Sequence, residues 1–384
     1  MTGTKLFSEF ALRDVTLKNR VVASPMWQYA GSDGFPTDWH LMHLGRLADG
    51  GAGLVFQEGT NVERRGRGTI GDLGLWDDAF VEPLARIVRL IRANGATPAI
   101  QLMHCGRKAR TKPPAEGRGL LQRSDAIPDW DAWHPIAPSA VPLKEGLEPP
   151  REMSLTDVQD VIAAFVVAAA RADRAGYDVA EVHGAHGYLV HQFLSPLTNR
   201  RTDRYGGSFE NRIRFLTEIV EGVRGVWPAG KPLLVRLSCI DNAGWEMDDT
   251  IRLCRILKGL GVDLIDCSTG GLVGSPLPSG AVPSYGYQVE YAAQVRREAA
   301  IATSAVGLIV HAEHAERILQ EDAADLIMIG RELIYNPNWP LDAAQKLGAD
   351  PGFDRLPART GFWLRSRAAA KPDLTPSTFA ARDA

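Results

Sequence analysis

Short apolar runs alternate with helical stretches from residue 20 to residue 330, and this alternation limits most what the chain can become. The apolar runs at 20–25, 53–58, 97–104, 178–183, 233–238, 264–268, 304–309 and 326–330 read as strands. Helical patterns fall between them at 40–49, 80–94, 154–175, 209–227, 249–260, 287–299 and 311–320. Ser154-Leu155-Thr156-Asp157 has the form of a capping box with Asp in the acidic position, and Ser208 is an N-cap candidate. Eight strands with helices between them predict an α/β protein of the (β/α)8 TIM-barrel type. A doubly wound sheet would carry a Gly-rich fingerprint after its first strand, and none stands there. Residues 105–153, rich in Pro, Arg and Trp and including Trp130 and Trp133, are too long for a plain connection after the third strand. They predict a lid or capping segment. The expected organisation is a single barrel over residues 1–365 with a flexible C-terminal tail at 366–384.

Composition narrows the partners. A net charge of −3 argues against nonspecific binding to nucleic acid or an anionic membrane. The run 161–170 is the longest apolar stretch and is too short to span a bilayer. Four scattered cysteines imply no disulfide framework and, with no secretory h-region at the start, predict a cytoplasmic protein. The expected partner is a small molecule.

Active sites of such barrels sit where the strands end. The predicted strand ends carry Pro25-Met26-Trp27, Glu58-Gly59, Gln101 and His104, His183 and His186, Arg236, Ser268, Gly307 and Gly330-Arg331. The segment His183-Gly184-Ala185-His186-Gly187-Tyr188 brings two imidazoles and a phenol off one strand. Two His side chains can hold a carbonyl, nitro or phenolate oxygen, and a phenol can deliver a proton to carbon. That suits reduction of an activated double bond if another group supplies hydride. The pair also suits a metal, although no Cys has ligand-like spacing; a purely structural turn is the third reading. Arg236 interrupts Leu-Val-Arg-Leu and needs a structural carboxylate or a bound anion. The loops at Gly307 and at Gly330-Arg331 offer close backbone approach and a guanidinium to a phosphate.

Several stretches together resemble the Old Yellow Enzyme family, nearest to the bacterial branch that includes xenobiotic reductase A. They are Leu17-Lys18-Asn19-Arg20, Ser24-Pro25-Met26, the run from Ile100 to Lys108, Ala137-Pro138-Ser139, His183 to Tyr188, Phe193-Leu194-Ser195-Pro196, Asn199 to Ser208 and Ile329 to Glu332. The resemblance implies noncovalent FMN, reduced by NADPH or NADH and reoxidised by an electrophilic alkene or nitro compound in ping-pong fashion. By resemblance, Pro25, Met26, Gly59, Gln101 and Arg236 would surround the flavin ring. Gly307, Gly330 and Arg331 would hold its phosphate, His183 and His186 the substrate oxygen, and Tyr188 would donate the proton. Tyr29 would add a hydrogen bond to substrate. The branch usually has Cys after Ser-Pro-Met, where this chain has Trp27, expected to reshape the pocket and shift the flavin potential. Phe362-Trp363-Leu364-Arg365 resembles a segment that reaches a neighbouring subunit's site, which implies a homodimer or an assembly of dimers with Trp363 completing the partner's pocket. Alternatives are a same-fold enzyme acting on nitro compounds, nitroesters or saturated ketones, a non-catalytic flavin- or ligand-binding barrel, and a metal-dependent barrel lyase or aldolase.

Overall fold

The computed structural model describes residues 3–117, 119–125, 127–273 and 282–372. Eight parallel strands close on themselves: β1 (Val21–Ala23), β2 (Leu54–Asn61), β3 (Thr97–Met103), β4 (Val179–Gly184), β5 (Leu233–Ser238), β6 (Leu264–Ser268), β7 (Ala302–Ala305) and β8 (Leu326–Ile329). Each pairs with its neighbour in sequence, and β8 returns to β1. The intervening helices are α1 (Asp38–Asp49), α2 (Val81–Ala93), α3 (Leu155–Ala175), α4 (Phe209–Val226), α5 (Met247–Gly259), α6 (Val289–Ala299) and α7 (Ala312–Gln320). The chain is therefore a (β/α)8 barrel, as its alternation predicts.

Local sequence explains the elements. In α2, Leu84, Ile87, Val88 and Ile91 recur at three- and four-residue spacing and are buried against the barrel. Helix α3 opens on the reciprocal bonds of Ser154 and Asp157 and stops at Gly176, whose φ of 93° favours glycine. The seventh strand differs from its predicted range of 304–309: β7 ends at Ala305, because Gly307 turns the backbone to φ 116° and Leu308 to φ 51°. A short antiparallel hairpin, Phe10–Leu12 with Val15–Leu17, precedes β1. Its Leu12 and Leu17 join Val22, Leu54, Phe56, Val179, Leu234, Leu264 and Leu326 in one apolar cluster inside the barrel. The hairpin thus plugs the end from which the strands start. Leu17 is fully buried there, worth roughly 1.5–3 kcal/mol of transfer free energy.

Further along the strands the interior becomes polar. Register sets Gln101 beside Glu181, and His183, Arg236, Asp266 and Ser304 side by side on successive strands. The described residues of the insertion between β3 and α3 form turns, short 3-10 helices such as Gly106–Lys108, and a two-residue parallel bridge, Ile136–Ala137 with Arg151–Glu152. Trp133 anchors it: the indole is buried, donates to Arg65 O at 3.1 Å and lies under the Arg67 guanidinium. Arg201 donates to Pro138 O at 3.0 Å, so the Asn199–Ser208 block fastens this insertion from the far side. After β8 come α8 (Trp339–Lys346) and a last helix, Ala358–Ala370, which runs past the expected tail boundary at Arg365. The rest of that tail, from residue 373, lies outside the described residues. Among the described residues no helix is long and apolar enough to cross a membrane.

Candidate active site

Two adjoining cavities open at the strand ends, one of about 250 Å³ and one of about 720 Å³. His186, Tyr188, Arg236, Val306, Gly330 and Arg331 line both. The smaller is bounded also by Pro25, Met26, Trp27, Gly59, Gln101 and His183. The larger runs on past Ser268, Gln288 and Gly307 and is covered by Lys108, Leu143 and Lys144 of the insertion. The expected cofactor, donor and oxygen-binding residues thus meet around one two-chambered space. Tyr29 and Trp363 are not among its walls. Tyr29 stands behind Trp27, with ring centroids 5.8 Å apart. Trp363 lies on the last helix with 71% of its surface exposed.

The turn after β4 carries His186 and leads to Tyr188, and it is fixed at its backbone. His186 and Gly187 are consecutive left-handed residues, at φ 58° and 72°. A Cβ on Gly187 would sit 2.6 Å from Gly271 O, so only glycine fits. The His186 N–H donates to Ser238 Oγ at 3.0 Å, and its carbonyl accepts from Lys108 Nζ at 2.6 Å. The Gly187 N–H donates to His191 Nδ1 at 2.8 Å and its carbonyl accepts from Gln192 Nε2 at 2.8 Å.

This scaffold sets the proton state of each group. His183 Nδ1 accepts from the Ala185 N–H at 3.2 Å, which leaves Nε2 to carry the ring proton. Burial, with Arg236 next, holds the pKa of both His183 and His186 well below the ordinary imidazole value, so both are neutral. His186 Nε2 bonds to Ser268 Oγ at 2.7 Å, so Nδ1 is the nitrogen left for a ligand. The Tyr188 ring packs edge-on to His183 at 5.1 Å and to Trp27 at 5.3 Å. Burial, reinforced by Cys105 and Tyr29, raises its pKa well above the usual phenol value, so it keeps its proton.

Arg236 is 7% exposed and pairs with Asp266, its Nε 2.9 Å from Oδ2. The contact is an ion pair without a formed hydrogen bond at either atom. The structural carboxylate is real but leaves the guanidinium with unspent donors on the cavity wall. Glu181 accepts from Gln101 Nε2 at 2.7 Å, and burial together with Asp266 pushes its pKa up to about 8. Asp266 is also raised, chiefly by burial.

Sequence reading missed Lys108, Glu181 and Asp266. Lys108 closes the turn, donating to Gly271 O at 2.5 Å as well as to His186 O. The signal for the two carboxylates was present: each is an ionisable residue inside an otherwise apolar strand, at the same parity as a barrel-facing leucine or histidine. Among the described residues no three His, Cys, Asp or Glu side chains converge as metal ligands.

Residues 5–350 match the NADH:flavin oxidoreductase / NADH oxidase family. The chain belongs to that family. It is an oxidoreductase, and the family implies a flavin. Morphinone reductase is similar at 28% identity, with a TM-score of 0.75 over 90% of this chain and 90% of that one. A 2-naphthoyl-CoA reductase in complex with 2-naphthoyl-CoA superposes at a TM-score of 0.79 and 25% identity, covering 89% of this chain and 52% of the other. The 6-hydroxypseudooxynicotine amine oxidase of Pseudomonas geniculata N1 gives 0.77 and 25%, covering 90% of this chain and 50% of its own. This chain therefore spans about half the length of the last two and nearly all of morphinone reductase.

Proposed function

We propose that this chain is an FMN-dependent NAD(P)H oxidoreductase that reduces the activated C=C bond of α,β-unsaturated carbonyl compounds, of the branch that includes xenobiotic reductase A. One observation carries the reading: two neutral imidazoles and a protonated phenol converge on a cavity that a buried guanidinium, Arg236 on the strand next to His183, also lines.

The residues fit FMN. The two adjoining cavities together give room for a ring with a phosphorylated tail. Arg236, tied to Asp266 through Nε, lines both chambers with its guanidinium, and Gly307 leaves room that a Cβ would take 3.1 Å from Tyr287. Pro25, Met26, Gly59, Gln101 and Arg236 would hold the ring, and Gly307, Gly330 and Arg331 the phosphate. When bound, FMN supplies hydride exchange between a nicotinamide nucleotide and the substrate in two successive half-reactions.

The chain's own part is orientation and charge. His183 donates its Nε2 proton to the substrate oxygen, and His186 donates to the same oxygen from Nδ1 in the tautomer whose Nε2 accepts from Ser268 Oγ. These bonds draw electron density from the alkene and make the β-carbon electrophilic. Tyr188 holds a proton for the α-carbon. Trp27 and Met103 keep the smaller chamber narrow and apolar beside these groups. Trp363 would complete the pocket of a second subunit in a dimer.

The test is anaerobic reduction of the purified protein with NADH and NADPH, followed by 2-cyclohexenone, maleimide and a nitro compound. Bleaching of flavin absorbance and its return with the alkenes is expected. Return with the nitro compound alone would move the function to nitro reduction, and a colourless purified protein would end the reading.

A further inference from the structure

A third cavity, of about 420 Å³, lies within the insertion and plays no part in the chemistry above. Its walls include Arg107, Arg110, Trp130, His134, Glu148 and Arg151, and it shares Leu143 with the large cavity. Arg107 is the unusual member. It is 6% exposed, donates to Pro142 O at 3.2 Å and Leu272 O at 3.1 Å, and its buried Nε has no partner. Leu272 is itself a wall of the large cavity, so this guanidinium sits between the two spaces. Among the described residues no carboxylate pairs with it, and burial alone lowers its pKa. A buried guanidinium without a counter-charge is unfavourable by several kcal/mol unless an anion joins it.

The neighbouring charges point the same way. Arg110 stands over Trp130, its guanidinium carbon 3.5 Å from the ring centroid, and Glu148 is the acid whose charge acts on it most. Arg151 is already paired with Asp157 at 2.7 Å. Two guanidiniums without a paired carboxylate therefore line the cavity beside an indole, with Glu148 and, more weakly, Asp131 as the acids acting on Arg110. Such guanidinium forks match phosphate oxygens.

We propose that this cavity binds the phosphate-bearing adenosine half of the nicotinamide nucleotide, with the nicotinamide reaching the active site past Leu143. The proposal rests on the reading that such a nucleotide reduces the flavin.

The test uses the flavin-loaded protein and its Arg110→Ala and Arg107→Lys variants. Calorimetric titration with ADP and 2′,5′-ADP measures the phosphate end alone. Rapid-mixing reduction is then compared for the natural nucleotides and for N-benzyl-dihydronicotinamide, which has no phosphate. Arg110→Ala is expected to weaken both the fragment and the nucleotide by about tenfold, the loss of one charge-assisted contact, and to leave the truncated donor unchanged. Tighter binding of 2′,5′-ADP than ADP would assign the site to the extra phosphate of NADPH. Unchanged fragment affinity in both variants, with normal reduction by the truncated donor, overturns this site alone. A variant that loses affinity only for an anionic acceptor overturns it too, giving the cavity to the acceptor. Failure of every dihydronicotinamide to reduce the flavin overturns the functional reading and this one with it.

Discussion

Trp27 and Tyr188 meet edge to face, with centroids 5.3 Å apart and planes at 68°, while Trp27 Nε1 donates to Gly59 O at 2.8 Å. The indole is thus held from one side by the β2 backbone and presses its ring on the proposed proton donor. Trp27→Cys removes that wall. Acceptors with bulky substituents should then gain at least about tenfold in kcat/KM relative to 2-cyclohexenone, a difference of ~1.4 kcal/mol. The flavin midpoint potential should move as well. An unchanged acceptor ranking and potential would remove Trp27 from the specificity argument.

Tyr188→Phe keeps the ring packing and removes the proton. Flavin reduction by nucleotide should proceed at its original rate. Alkene reduction should fall by roughly 10²–10⁴, the usual contribution of a positioned acid. Rapid mixing resolves the two half-reactions. Equal losses in both would take the proton-donor role away from Tyr188.

Stability should decline on the acid side. Burial lowers the pKa of His40 and His43 from 6.5 to about 4, and depresses His183, His186 and His191 as well. A lowered histidine binds fewer protons folded than unfolded, so unfolding takes up protons once pH falls below ~6.5. The contribution is intact above that value and is lost as pH drops toward 4 for His40 and His43. A urea midpoint series from pH 7.5 to 4.5 should fall by an amount equivalent to a few kcal/mol. The same shift predicts that reoxidation by alkene stays flat from pH 8 to 6, where an ordinary imidazole would titrate. The raised carboxyls of Glu181 and Asp266 act in the opposite sense, so an acid-side slope that His40→Gln and His43→Gln leave unchanged would contradict the assignment of neutral buried imidazoles.

Phe362 and Trp363 are adjoining aromatic residues, 55% and 71% exposed, on the last helix. If they complete a partner's pocket, truncation before Gly361 should yield a monomer by light scattering and lower alkene turnover at least about tenfold, with flavin still bound. A fully active monomer would show that one chain suffices.

The barrel was legible because alternation is a local signal: β5 and β6 fall on the residues their apolar runs predict. The hairpin at Phe10–Leu17 was not, since two three-residue strands give too few positions for a period to show. The loop residues of the candidate site were legible as strand ends. The cross-strand relations were not. Gln101 and Glu181 are 80 residues apart in sequence, and Arg107 and Leu272 165, and only the closure of the sheet and the path of the insertion bring them together. The seventh strand was misplaced because Ala-Thr-Ser is less apolar than the Val-Gly-Leu-Ile that follows, where Gly307 already bends away.

The backbone around His186 and Gly187 is tied to Lys108, Ser238, His191 and Gln192 at four separate atoms. A turn so tethered has little freedom to drift as its sequence varies. Diversification of this scaffold toward new reactants must therefore proceed through its cover and through position 27. A mutational library confined to those places would vary admission while the hydrogen-bonding core of the catalyst stayed in register.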